Sequence, residues 1–221
     1  MIDPDIRKAS TLPGSFYREA GRFEQAKERI WARAWHYIGD ASDYANANHA
    51  YPFEMLPGVL GEPLVLTTDR SGHRRCLSNV CTHRGKIIVE APGPMRQLAC
   101  GYHGRCFRLD GSFKSMPAFE GAANFPTPED DLPALPLEHW AGLLFTSLRP
   151  FASLETAIAP MKERVQFLPL NQLQYVAADS QDHYVQAHWA LYCDNYLEGF
   201  HVPFVHPALN TALDVEAYDY E

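Results

Sequence analysis

The amino-acid sequence predicts an α+β fold, in which helical segments flank a region of short antiparallel strands. The first observation is that apolar residues recur at helical spacing over residues 15–35, with charged residues on the opposite face. The second is a change, over residues 36–149, to short β-rich runs that are separated by Gly, Pro and Asp. Helical patterns return after Pro150, so the β-rich region is predicted to be a domain of its own.

Five runs within this region are predicted to be strands: 63–68, 74–80, 106–109, 112–113 and 143–147. The residues Asp69-Arg70-Ser71-Gly72 favour a turn and make the first two runs a hairpin. The dipeptide Asp110-Gly111 predicts a second, tighter hairpin. Residues 117–136 are rich in Pro, Asp and Glu and are predicted to be an extended connector.

Beyond residue 150 we expect a helix over 153–167, a strand over 174–187 and a helix over 189–200 that ends near Pro203. These patterns predict three parts: an N-terminal helical segment (1–40), a β-rich domain (41–150) and the start of a further domain (151–221).

Composition and charge exclude several function classes. Hydrophobic residues make up 46% of the chain and charged residues 21%, as in ordinary soluble globular proteins. The net charge of −8 argues against a nucleic-acid surface, and no run approaches the roughly 20 apolar residues of a membrane helix. The first ten residues lack the apolar stretch of a secretory signal, and an odd cysteine count does not indicate a disulfide framework. We therefore expect a cytoplasmic protein that binds neither nucleic acid nor membrane.

The most informative residues form two short motifs that each contain one cysteine and one histidine. Cys81-Thr82-His83 is followed, after the sixteen residues 84–99, by Cys100-Gly101-Tyr102-His103. A Rieske-type [2Fe-2S] cluster needs two thiolates on one iron and two imidazoles on the other. Because each motif supplies one ligand of each kind, the sequence predicts that this cofactor is bound by Cys81, His83, Cys100 and His103.

A structural zinc ion is the alternative for the same four side chains, since zinc accepts similar ligands in a tetrahedron. In zinc fingers, however, Cys is spaced with Cys and His with His, whereas each motif here mixes the two. Gly85, Gly101 and Gly104 lie next to the ligands and permit the turn conformations that two ligand loops require. We therefore favour the iron–sulfur cluster.

A second pair of histidines, His201 and His206, indicates the 2-His-1-carboxylate site of non-haem iron(II). The two positions are about 140° apart on an ideal helix, so one straight helix would not aim both at one metal ion. Pro203 is predicted to break the helix between them. Alone, the pair is weak evidence, because most such pairs are surface or core histidines, and its weight comes from the motifs upstream.

Together these residues resemble the α subunits of Rieske non-haem iron oxygenases, which include ring-hydroxylating dioxygenases and related monooxygenases and demethylases. The resemblance extends from about Phe16 to His206. It rests on four motifs: 81–85, 100–104, 109–111 and 194–206. Within the family, the motifs Asp194-Asn195-Tyr196-Leu197-Glu198 and 201–206 look closest to the choline-monooxygenase-like group.

The resemblance implies an antiparallel β Rieske domain followed by the N-terminal part of an α/β helix-grip-like catalytic domain. It implies that His201 and His206 bind a mononuclear Fe(II), and that Glu198 is the catalytic carboxylate that links cluster and iron across a subunit boundary in a homotrimer. Electrons are expected from NAD(P)H through a separate reductase or ferredoxin. Dioxygen and a small organic substrate, in this subgroup a quaternary ammonium compound, are then expected to react at the iron. The alternatives are a Rieske electron-transfer protein and an inactive truncated fragment of an oxygenase.

Three departures from the family pattern qualify this expectation. Gly101 stands where most members have Pro, and Arg105 where most have Trp, a cation expected to raise the potential of the cluster or to change docking of the electron donor. The family's carboxylate ligand to iron is expected beyond position 221, although Asp214 and Asp219 are available.

In the Rieske proteins of respiratory complexes, which have higher reduction potentials, a disulfide links the two ligand loops. The positions of its two cysteines hold Lys86 and Tyr102 here. The remaining cysteines, Cys76, Cys106 and Cys193, are therefore predicted to be free thiols that serve as small buried apolar residues.

Overall fold

The computed structural model describes residues 3–5, 7–119 and 121–212. The chain divides into two compact units. One unit, which we call the β unit, is Gln25–Val176, and the other, the helical unit, combines Met1–Glu24 with Ala177–Glu221. The domain boundaries predicted at residues 40 and 150 stay predictions.

All strands of the described residues lie in the β unit, and they form three antiparallel sheets. The strands are β1 (His36–Asp40), β2 (His49–Met55), β3 (Glu62–Thr68), β4 (Arg74–Ser78), β5 (Gly93–Pro94), β6 (Leu98–Ala99), β7 (Cys106–Phe107), β8 (Phe113–Ser115), β9 (Ala134–Leu135), β10 (Leu137–Trp140) and β11 (Leu143–Thr146). The sheet orders are β1-β11-β10, β5-β2-β3-β4-β9 and β6-β7-β8. The predicted α+β class with antiparallel sheets is confirmed.

Strand β3 is the centre of the five-stranded sheet, and its last five residues are all buried. Its side chains alternate between two hydrophobic cores, as the period of a strand requires. Val65 contributes to one core, while Leu64 and Leu66 contribute to the other. The core on the Val65 side also contains Cys81 and Cys100, so both motif cysteines belong to the packed interior of the β unit.

Both predicted hairpins are present. Strands β3 and β4 pair in antiparallel register across the turn that ends at Gly72, which has a φ of 83°. Strand β7 is two residues shorter than predicted and β8 is one residue longer, and the two flank Gly111, which has a φ of 90°. The connector 117–136 is not extended throughout, because Pro128–Asp130 forms a 3₁₀ turn. Its strand β9 is extended and pairs with β4.

Helix α1 (Ala20–Ala26) continues as a π-helix over Lys27–Trp31, so the N-terminal helix begins five residues later than predicted. Helix α2 (Leu154–Val165) confirms the prediction for residues 153–167. Ser153 caps it, because its hydroxyl accepts a hydrogen bond of 3.2 Å from the amide of Thr156.

The strand predicted over residues 174–187 is wrong. Every residue from 171 to 187 is exposed, and the only regular structure in 174–187 is a 3₁₀ turn over Ala177–Asp179. A strand is stabilised by hydrogen bonds to a neighbouring strand, and among the described residues none pairs with this segment. The β-rich composition of a segment does not supply that partner.

The helical unit contains α3 (Trp189–Tyr196), α4 (Val202–Val205) and α5 (Pro207–Ala212). The helix predicted over 189–200 therefore ends four residues early. None of the helices among the described residues combines the length and the apolar character that crossing a bilayer requires.

Candidate metal centres

The first ligand loop, residues 81–86, is closed by two backbone hydrogen bonds. The amide of Cys81 donates to the carbonyl oxygen of Lys86 over 2.9 Å, and the amide of Gly85 donates back to the carbonyl oxygen of Cys81 over 3.0 Å. Gly85 has a φ of 70°, in the left-handed region that glycine adopts without strain. The loop is thus a tight turn that begins and ends at fixed backbone positions.

The second ligand loop, residues 100–105, repeats this pattern. The amide of Cys100 donates to the carbonyl oxygen of Arg105 over 2.8 Å, and the amide of Gly104 donates to that of Cys100 over 3.0 Å. Gly104 has a φ of 72°. The two loops therefore share one backbone frame, and they differ in that the histidine follows its cysteine by two residues in the first and by three in the second.

The four candidate ligands separate into a buried pair and a surface pair. Cys81 and Cys100 are only 3% and 4% exposed. Burial raises the pKa of the Cys81 thiol, and the neighbouring Cys100 thiol adds to the effect. The rings of His83 and His103 meet edge to face, with centroids 4.7 Å apart, and His103 is exposed. A buried thiol pair beside an imidazole pair is the donor set that a two-iron cluster requires.

The pKa of His83 is lowered, first by desolvation and then by the positive charges of its neighbours His103, Arg84 and Arg105. Both effects favour the neutral imidazole, which is the form that binds a metal ion.

The zinc alternative requires four side chains that point at one position. Here the two thiols are buried in the core, whereas the two imidazoles meet nearer the surface. A Rieske cluster places its thiolates on one iron and its imidazoles on the other, so this division fits a two-iron cluster.

Asn79 closes the base of the first loop. Its side-chain amide donates to the carbonyl oxygen of Val89 over 2.8 Å, and the amide of Val89 donates to its side-chain oxygen over 2.9 Å. The backbone carbonyl of Asn79 accepts a third bond, from the amide of Ile88. Asn79 is 2% exposed, so these bonds form without competition from water.

Arg105 follows the second loop's histidine by two residues, and the structure corrects one reading of it. The residue is 3% exposed, so its cation cannot contact an electron donor at the surface. Its guanidinium instead pairs with Asp130, in the connector. No motif in the sequence indicates this partner, which lies 25 residues away.

The three other cysteines differ in burial, and all five thiols are free. Cys76 is buried as predicted, and burial raises the pKa of its thiol to about 11. Cys106 is half-buried. For Cys193 the prediction of burial is wrong, because it lies on an exposed part of α3.

In the helical unit, His201 and His206 flank the four-residue helix α4. His201 is its N-cap and His206 its C-cap, and their ring centroids are 5.2 Å apart. The chain does break near Pro203, but the break precedes this residue. Pro203 lies in the first turn of α4, where proline is tolerated because the amide hydrogen that it lacks has no helical partner.

Glu198 lies against the first of these histidines. Its Oε1 is 2.5 Å from Nδ1 of His201, and its Oε2 accepts a 2.6 Å hydrogen bond from the amide of Phe200. The hydrogen bond from His201 is the main cause that lowers the pKa of Glu198. A histidine that donates Nδ1–H to a carboxylate keeps Nε2 for a metal ion, which is the usual arrangement around metal ligands in proteins.

Asp214 and Asp219, the carboxylates that are available in this chain for the third position of a facial triad, lie outside the described residues. Asp194 is engaged elsewhere, because its carboxylate accepts a 2.6 Å hydrogen bond from the hydroxyl of Tyr17, a contact that raises the pKa of Tyr17. Among the described residues, Glu198, His201 and His206 are the ones that the structure brings together from the predicted iron site.

Comparison with known proteins agrees with this geometry. The family model of the Rieske [2Fe-2S] domain matches residues 34–126, which include both ligand loops. The chain is 31% identical over 216 residues to the carnitine monooxygenase oxygenase subunit of Escherichia coli K12, covering 96% of this chain and 56% of that protein. It is 27% identical over 239 residues to the chloroplastic choline monooxygenase of Arabidopsis thaliana, covering 98% of this chain and 54% of that protein.

Solved structures show the same relationship. The quaternary ammonium Rieske monooxygenase CntA in complex with L-carnitine superposes with a TM-score of 0.77 at 28% identity, over 95% of this chain and 59% of that one. The chain thus spans about half the length of the curated relatives it matches. Since the likeness extends well beyond residues 34–126, it includes more than the iron–sulfur domain. This chain thus contains a Rieske [2Fe-2S] domain and is similar, over almost its whole length, to Rieske oxygenases that include monooxygenases named for carnitine and choline.

Proposed function

We propose that Cys81, His83, Cys100 and His103 bind a [2Fe-2S] cluster, with the thiolates on one iron and the imidazoles on the other. The observation that carries this assignment is the separation of a buried thiol pair from an imidazole pair on two loops of matching backbone frame. The frame fixes where each cysteine sits. Although the histidine offsets differ, the two rings meet, with their centroids 4.7 Å apart.

We further propose that His201 and His206 bind a mononuclear Fe(II). Glu198 orients His201 by accepting its Nδ1–H, which leaves Nε2 available to the metal. When bound, the cluster supplies single electrons and the iron supplies a site where dioxygen is activated. The carboxylate of Glu198 holds the ring of His201 in place. The link that Glu198 makes between cluster and iron across a subunit boundary of a homotrimer remains part of this proposal.

The whole protein is proposed to be the terminal oxygenase component of a system that takes electrons from NAD(P)H through a reductase or ferredoxin. It would hydroxylate or oxidatively demethylate a small organic substrate. A quaternary ammonium compound is the proposed substrate class, because the relatives are named for carnitine and choline.

The cluster assignment is tested by reconstituting the 221-residue chain with iron and sulfide under anaerobic conditions. We expect about two irons and two sulfides per chain, with the optical and EPR spectra of a Rieske centre. His83→Cys should abolish those spectra. Stoichiometric zinc without iron or sulfide in anaerobically purified protein would contradict the assignment.

An electron-transfer protein without oxygenase activity is the second candidate, and one observation favours it. At the second site the described residues bring together two imidazoles and the carboxylate of Glu198, whose two oxygens are engaged by His201 Nδ1 and by the amide of Phe200. For that reason we expect the chain alone to be reduced reversibly but to give no product when the reduced protein meets dioxygen and carnitine or choline. Stoichiometric product in that single turnover would show that a residue of this chain completes the iron site, and would eliminate the electron-transfer alternative.

A further inference from the structure

Arg105 is a buried cation next to the proposed cluster ligands. Its side chain is 4% exposed, and its Nη2 lies 2.5 Å from Oδ1 of Asp130. The same Nη2 donates to the backbone carbonyl of Asp130 over 3.2 Å. Its own carbonyl accepts the hydrogen bond from the amide of Cys100, so the cation is fixed to the backbone of the second ligand loop.

Aromatic rings surround the guanidinium. Its central carbon lies 5.1 Å, 5.6 Å and 5.7 Å from the ring centroids of Phe113, Phe125 and Phe107. Cation–π attraction is strongest where the cation is withdrawn from water, as here. Nε of Arg105 is buried and has no hydrogen-bond partner among the described residues, so the carboxylate and the rings carry the stabilisation of this charge.

The first ligand loop reaches the same acceptor. The hydroxyl of Thr82, between Cys81 and His83, donates to the backbone carbonyl of Asp130 over 2.8 Å. One carbonyl oxygen therefore receives a donor from each loop. Asp130 is fixed in turn, because its Oδ2 accepts a 2.7 Å hydrogen bond from the amide of Thr127. We call Thr82, Arg105 and Asp130 the clasp.

We propose that the clasp holds the two ligand loops at their working separation, and that the balance of its two charges sets the midpoint potential of the cluster between the loops. Arg105 and Asp130 are positioning residues in this proposal, which rests on the proposed cluster ligands and goes beyond them.

The physical reason is that the pair is close to neutral as a whole. Charges interact strongly in a poorly solvated interior, so the loss of one partner leaves the other uncompensated. An uncompensated anion favours the oxidised cluster, and an uncompensated cation favours the reduced one. A role in positioning alone would move the potential in no preferred direction.

The first loop provides a matched control. Lys86 occupies the same position in its loop as Arg105, five residues after the cysteine, and also accepts the cysteine's amide hydrogen bond at its carbonyl. Its side chain, however, is 38% exposed, and its ammonium pairs with Glu90 over 2.7 Å at the surface. Water screens this charge, so its removal should matter less.

The test is a redox titration of the reconstituted chain, followed by EPR, in four variants. We expect Arg105→Gln to lower the midpoint potential and Asp130→Asn to raise it, although both break the same ion pair. Lys86→Gln should shift it less than Arg105→Gln, and the uncharged change Thr82→Val should shift it less than either clasp charge. Shifts of Arg105→Gln and Asp130→Asn in the same direction, or no shift in both, would overturn the proposal.

A second measurement needs no cluster and therefore distinguishes failure of the clasp from failure of the ligand assignment. Hydrogen exchange of the cluster-free chain should accelerate at the amides of both Cys81 and Cys100 in Arg105→Gln. The control Arg149→Gln, which removes an exposed ion pair with Glu28, should leave both unchanged. Acceleration confined to the second loop would overturn the role as a clasp. If Arg105→Gln does not fold, Asp130→Asn decides by the same two readouts, with a raised potential and faster exchange at both cysteine amides as the expected result.

Discussion

At the scale of single residues, burial distinguishes a candidate ligand from a chemically identical bystander. Cys100 is 4% exposed and lies in the core beside Cys81, whereas Cys193 is exposed on α3. We expect Cys100→Ser to eliminate the cluster, because a hydroxyl is a poor replacement for a thiolate on iron. Iron and sulfide analysis with EPR checks this, and Cys193→Ser should retain full cluster content. A Rieske signal of normal intensity in Cys100→Ser would remove this residue from the ligand set.

Asn79 gives a prediction about stability. Asn79→Ala removes two hydrogen bonds and leaves both backbone groups of Val89 buried without those partners. At about 1–3 kcal/mol for each of the two unsatisfied groups, we expect the free energy of unfolding to fall by about 2–6 kcal/mol. Chemical denaturation measures it, with Asn46→Ala, at an exposed position, as the control. If Asn79→Ala lowers the free energy of unfolding by no more than about 0.5 kcal/mol beyond the effect of Asn46→Ala, other contacts hold the base of the loop.

The candidate ligands could be predicted from the sequence because each motif is local. A cysteine and a histidine two or three residues apart have to share one loop, whatever surrounds them. The partner of Arg105 could not be predicted, because the contact with Asp130 depends on where the connector packs. The exposure of Cys193 was missed for a similar reason, since a small apolar side chain fits a core and a helix surface equally well.

At the scale of elements, turn chemistry was the most reliable guide. Asp69–Gly72 and Asp110-Gly111 favour turns through their own backbone preferences, so both hairpins could be predicted. Residues 174–187 have a composition typical of a strand, but strand formation depends on a partner that composition does not reveal. The helix break near Pro203 could be predicted for a similar reason, since it also depends on a local backbone preference. Proline favours the first turn of a helix, which explains why the break comes before this residue.

The two hairpin glycines provide a matched pair for a second stability prediction. Both have a positive φ, of 90° at Gly111 and 83° at Gly72. A Cβ at Gly111 would lie 2.9 Å from Cδ2 of Leu77, whereas one at Gly72 would have no neighbour within 4 Å. We expect Gly72→Ala to cost about 1 kcal/mol from backbone strain, and Gly111→Ala about 1–3 kcal/mol more from the added crowding. Thermal or chemical denaturation compares the two, and equal costs would mean that Leu77 yields without penalty.

At the scale of the whole molecule, the position of exposed backbone predicts where the chain is cut. Residues 171–187 are all exposed, and exposed segments with little regular structure are preferred sites of proteolysis. We expect limited proteolysis with thermolysin to cleave the chain first in this range. The N-terminal product contains both ligand loops and should keep the Rieske spectrum, which mass spectrometry and absorbance together can establish.

Initial cleavage inside the β unit before residue 171, or loss of the spectrum as soon as the first cut is made, would contradict this prediction. The two outcomes have different meanings. An early internal cut would show that a sheet opens more readily than the exposed segment, and a lost spectrum would show that residues beyond the cut stabilise the cluster.

The division of the ligands into a buried thiol pair and an imidazole pair nearer the surface determines from which side electrons reach the proposed cluster. Cys81 and Cys100 belong to the buried core that contains Val65, while His103 is exposed. Electrons tunnel most readily over the shortest gap, so we expect donor and acceptor both to approach from the imidazole side. If both partners use this one surface, electrons must enter and leave the cluster at different times. A reductase that stayed bound there would block transfer from the cluster to the acceptor.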